Sequence, residues 1–111
     1  LVGGDVHENW VGHVKADYSS PSSATVGVEF CGTSITSRAS GGNDKLAARL
    51  AENPHFVLAE SEHRGYGLLD LTPAQLTASL RVVDDATRPD AVASTLARFA
   101  VRAGRPRLEP A

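Results

Sequence analysis

Leu76, Ala78, Leu80 and Val82 alternate with Thr77, Ser79 and Arg81. Side chains of a strand point by turns to its two faces, so this run is a strand with one face in a core and the other toward water. Its flanks make it the most constraining stretch of the chain. Arg64 to Leu71 precedes it across Thr72-Pro73-Ala74-Gln75, and Ala93 to Val101 follows it after a turn at Asp84 to Pro89. Strands joined by such short turns pair antiparallel, as a meander. In the last of them Thr95, Ala97, Phe99 and Val101 are expected to share one face.

The first half of the chain is also rich in β-type runs. Leu1-Val2 reads as the end of a buried strand that breaks at Gly3-Gly4. Val11 to Asp17 is a short strand, and Ala24 to Thr36 is a longer run carrying Val26, Val28, Phe30 and Ile35, with Gly32 and Thr33 as the place for a kink or bulge. Phe56 to Ala59 is apolar at every position, which predicts burial on both faces. Between these lies one helix, Asp44 to Glu52, with Asn43 as its expected N-cap and a stripe of Leu46, Ala47, Leu50 and Ala51. Asn53-Pro54 stops it, because the residue before proline avoids the helical region. The fold class expected is α+β: mostly antiparallel β with one helix.

With 111 residues the chain is long enough for one domain and too short for two. Eleven basic and thirteen acidic side chains leave a net charge of -2, which argues against a nucleic-acid partner. Arg98, Arg102, Arg105 and Arg107 read as a solvated edge rather than a grip on a polyanion. Cys31 is the only cysteine, so no internal disulfide forms, and its place in a β run suits a small buried apolar residue. No apolar run reaches the roughly 18 residues of a membrane span.

The sharpest chemical feature is Gly4-Asp5-Val6-His7. In an extended segment residues i and i+2 point the same way. Asp5 and His7 would then aim at one place, with Val6 turned back into the core. A carboxylate beside an imidazole suits a metal site, though the triplet alone fits a surface turn as well. Asn9 could support His7 from behind, or make a plain turn hydrogen bond. Glu29, between Val28 and Phe30, could orient a ligand, join a structural pair or face solvent. His13 reads as a structural or surface residue, His55 begins a strand and is given no catalytic role, and His63 reads as a turn residue. Ser34 and Ser37 lack a nucleophile pattern, and Gly41-Gly42 lacks a full phosphate-loop signature.

Longer stretches sharpen this reading. Gly3-Gly4-Asp5-Val6-His7-Glu8-Asn9-Trp10, then Val14-Lys15-Ala16-Asp17, then Val26 through Ser37, occur in one order. Glu52-Asn53-Pro54-His55, Arg64-Gly65-Tyr66 and Arg98-Phe99-Ala100-Val101 follow. Together they resemble the final third of the alkaline phosphatase D (PhoD-like) family of metallophosphoesterases.

The resemblance implies a sandwich of two β-sheets flanked by helices, similar to purple acid phosphatases. It implies hydrolysis of phosphate monoesters and diesters at alkaline pH with iron(III) and calcium. In related metallophosphoesterases two histidines two residues apart close the metal site, one for each ion. By that match His7 would bind iron and Asp5 the calcium side, in keeping with the hard-oxygen preference of calcium. The upstream motifs carrying the Asp and Tyr ligands of the iron and the Asn of the second metal are absent. Residues 1–111 are therefore expected to be an incomplete C-terminal segment of such a domain, inactive alone, with the N-terminal part of the same fold as its partner. An opening at Leu1, without methionine, agrees with that expectation. The first residues show no basic segment ahead of an apolar one, so only the resemblance points to a secreted or cell-surface protein. The rival expectation is a stand-alone, non-catalytic β-rich binding module.

Overall fold

The computed structural model describes residues 1–39 and 41–111. Among them, eight strands form two four-stranded sheets. The first sheet has the order β1 (Val2–Gly3), β3 (Thr25–Cys31), β2 (Asn9–Lys15), β4 (Phe56–Glu60). The second runs in order through β5 (Arg64–Leu71), β6 (Gln75–Val83), β7 (Ala93–Arg102) and β8 (Glu109–Pro110). All neighbours are antiparallel except β1, which lies parallel to β3. The helix α1 (Asn43–Glu52) lies against β4. The chain is thus α+β, mostly β with one helix.

The core sits between the two sheets. Val11 and Phe30 from the first sheet meet Ala78 and Leu80 from β6, and all four are buried. Val28, Leu58, Leu76 and Phe99 extend this layer, with Phe30 and Phe99 ring centroids 6.4 Å apart. The alternation read from β6 therefore has its expected consequence: Ala78, Leu80 and Val82 are buried.

Several local expectations are corrected. The parity of β7 changes at a register shift, where Leu80 faces Ala97 but Arg81 faces Thr95. Leu96 is the extra residue of this bulge and packs on the core, while Thr95 lies outside, bonded to the Arg81 guanidinium. The strand expected over Ala24 to Thr36 ends at Cys31, because the Thr33 N–H leaves the ladder for Asn9 Oδ1. Asn43 is not a cap. Gly42 holds that position, and Asn43 Oδ1 accepts instead from the Ser61 amide and hydroxyl, fastening the helix start to the end of β4. Only Leu46 of the predicted stripe is buried, and Ala47 and Ala51 are exposed. Val57 is 47% exposed, so β4 is not buried on both faces. β8 was not expected; it is two residues long and has no period, but Arg102 Nε donates to Glu109 Oε2 at 3.0 Å and draws it in.

One rim of the sandwich is open. β1 and β5 are edge strands, and a small cavity between them reaches Phe30, Ala78 and Leu80. Leu1, Val2, Tyr66, Leu68 and Leu71 are exposed along these edges. Leu1-Val2 is a strand end, as expected, but it lies uncovered.

Candidate metal centre

The loop from Gly4 to Glu8 leaves β1 and enters β2. It is not extended. Asp5 has φ 76° and His7 has φ 59°, the only non-glycine residues in the left-handed region among the described residues. That region is uncommon for such residues and persists only where the surroundings hold it. The i, i+2 argument therefore does not apply, and Val6 is exposed rather than turned into the core. Asp5 and His7 nevertheless both line one cleft of about 640 Å³. Its other walls include Trp10, Glu29, Cys31 and Phe56 from the outer face of the first sheet, with Arg38 and Arg49 beyond.

Hydrogen bonds define the His7 ring. Its Nδ1 lies 3.0 Å from the Arg38 carbonyl oxygen. A carbonyl only accepts, so Nδ1 carries a proton, and it is the neutral form of such a ring that leaves the Nε2 lone pair for a ligand. This is the arrangement in which imidazole binds metals. The His7 carbonyl is held as well, by Thr33 Oγ1 at 3.1 Å and Arg64 Nη1 at 3.0 Å. Asp5 is exposed and offers its carboxylate to the same cleft.

Asn9 supports the loop at one remove. It does not touch the ring. Its Oδ1 accepts from the Thr33 N–H at 3.1 Å, and its Nδ2 donates to Glu60 Oε2 at 3.2 Å. Glu29 is half-buried and lines the cleft beside Cys31. The Cys31 thiol donates to the Gly4 carbonyl, and burial pushes its pKa up. The other histidines are engaged elsewhere. His13 Nε2 accepts from the Leu108 amide, His63 Nδ1 donates to Glu60, and the His55 ring packs between Tyr18 and Phe56. Among the described residues no three His, Cys, Asp or Glu side chains are grouped to enclose an ion.

Glu60 anchors the far side. Burial pushes its carboxyl pKa up, but hydrogen bonds from the His63 ring and amide, from Asn9 and from the Glu62 amide outweigh it and hold the pKa below the usual value. A lowered folded pKa stabilises the fold fully above the ordinary glutamate value, and that contribution is lost as pH falls through the folded pKa. Glu60→Gln is expected to cost about 1–3 kcal/mol at neutral pH, since buried donors lose their acceptor. The gap to the parent protein should close as the solution is acidified, measured by urea unfolding across that window. A gap independent of pH would contradict this assignment.

Arg64, Thr33 and Arg38 were not anticipated as contributors to this loop. Arg64 stood at the start of a strand and in a motif of the resemblance, and the contacts that matter join residues up to 57 positions apart.

A family model described as PhoD-like phosphatase matches residues 1–80. The chain belongs to the PhoD-like phosphatase family. It is 40% identical over 101 residues to alkaline phosphatase D of Bacillus subtilis (strain 168), a match covering 89% of this chain and 17% of that protein. A solved structure titled "Structure of PhoD" superposes with a TM-score of 0.84 at 36% identity, covering 98% of this chain and 21% of the other. The chain thus spans about a fifth of the length of these relatives. Among the described residues no helix is long and apolar enough to cross a membrane.

Proposed function

We propose that this chain is the C-terminal portion of a metal-dependent phosphatase acting on phosphate monoesters and diesters, and that Gly4-Asp5-Val6-His7 is its metal-ligand loop. The observation that carries the reading is the His7 ring, whose Nδ1 is committed to the Arg38 carbonyl while Nε2 has no partner among the described residues, in a cleft that Asp5 also lines. These donors fit the ions that the family implies. The imidazole nitrogen suits iron(III), and the carboxylate suits calcium. Such ions, when bound, polarise the phosphoryl group and acidify a water for in-line attack. The role of the chain is to hold the two donors in place. Arg38 supplies the carbonyl that orients the ring, and Asn9 and Thr33 brace the loop. Glu29 lines the same cleft.

Asp5 and His7 do not enclose two ions by themselves, so turnover requires ligands from the N-terminal part of the same fold. The open rim at β1 and β5, with its exposed apolar side chains, supports a covering partner there over a free-standing module. Family membership also favours action outside the cytoplasm. The test is metal analysis of the full-length protein. Asp5→Ala is expected to weaken calcium by tenfold or more, as loss of a direct ligand should cost at least what loss of a supporting group costs. Iron should stay near parent levels; loss of iron with calcium retained would refute the assignment.

A further inference from the structure

Arg64 is 7% exposed, yet no carboxylate pairs with it among the described residues. A buried cation is costly unless its protons are all met. Here the two terminal nitrogens donate to oxygens of three separate loops. Nη1 reaches the His7 carbonyl at 3.0 Å, Ser34 Oγ at 3.0 Å and the Ser37 carbonyl at 2.6 Å. Nη2 reaches the Ser61 carbonyl at 2.5 Å.

The choice of acceptors is informative. His7 is one of the two non-glycine residues held at positive φ among the described residues, and its carbonyl is one of the groups held. Ser37 directly precedes Arg38, whose carbonyl receives the His7 Nδ1 proton. The guanidinium therefore grips both ends of the imidazole: the main chain that carries it and the loop that orients it. A planar fork of donors can span two such loops, and a lysine ammonium cannot reproduce that span.

We infer that Arg64 is the positioning residue of the His7 imidazole, setting its tautomer and direction without touching the metal or the substrate. The inference rests on the reading of His7 as a metal ligand and adds what makes that ligand ready.

The experiment uses the full-length protein with histidine labelled in nitrogen-15. In the metal-free parent protein the His7 Nδ1 should carry the proton that is hydrogen-bonded to the Arg38 carbonyl. Arg64→Lys should give a mixture of tautomers and weaken iron by 10- to 100-fold, the range expected when a supporting group of a ligand is lost. A folded Arg64→Lys protein with the parent tautomer and parent iron affinity overturns the inference. If that variant does not fold, Ser34→Ala removes one acceptor without stranding the charge. It should move both readouts in the same direction by a smaller factor, and no movement again overturns the inference. His7→Ala separates the two claims. If iron affinity survives that change, His7 is not the ligand, while the tautomer of the metal-free protein still tests Arg64.

Discussion

Replacing His7 with alanine in the full-length phosphatase is expected to lower kcat/KM for p-nitrophenyl phosphate about a thousandfold. Metal-ion catalysis stabilises a phosphoryl-transfer transition state by several kcal/mol, and about 4 kcal/mol corresponds to that factor. Among the described residues the other histidines are engaged elsewhere. His13 holds the Leu108 amide, His63 holds Glu60, and His55 lies between two aromatic rings. The fold should hardly notice the change. His7 is only partly buried, and its side chain makes one hydrogen bond, worth about 1 kcal/mol. Steady-state kinetics and a thermal melt on the same preparation check both halves. Activity within tenfold of the parent protein would sink the metal-ligand reading. A collapse of the melting temperature would make the loss structural.

The sheet layout was legible because it depends on local pattern. Leu76 to Val83 announces its face, and the turns at Thr72–Gln75 and Asp84–Pro89 set antiparallel neighbours. What escaped was decided by contacts distant in sequence. Asn43 looks like a cap, but Ser61 offers it two protons, so the helix begins without a side-chain cap. Thr95 sits on the outer face because a bulge inserts Leu96, and no period-two count foresees an inserted residue. The site divides in the same way. Asp5 and His7 were picked out by residue type and spacing, yet the extended geometry offered as the reason is wrong. Two left-handed residues bring them to the same cleft. Arg64 was unreadable as a support for His7, since nothing near it in sequence signals a contact 57 residues away.

A second large effect is expected at the glycine beside that arginine. Gly65 pairs with Val82 across β5 and β6. A Cβ built on it would lie 1.9 Å from the Arg81 carbonyl oxygen and 2.9 Å from the Arg81 carbonyl carbon and the Val82 Cα. All three are main-chain atoms, so no rotamer relieves the clash and the strands must part. Gly65 also donates its N–H to the Ser34 carbonyl at 3.0 Å, in the loop that Arg64 grips. Gly65→Ala is therefore expected to cost about 3 kcal/mol or more, the upper range for overpacking, and to displace Arg64 with it. Gly67, two residues along the same strand, is the control: its Cβ would meet nothing within 4 Å. Gly67→Ala should stay within about 0.5 kcal/mol of the parent protein. Urea unfolding of the three proteins decides the packing claim, and equal midpoints for the two variants would refute it. Metal content adds the link to the site. Gly65→Ala should lose stability and iron together, whereas His7→Ala should lose iron alone, because only the first change moves the arginine that braces the loop.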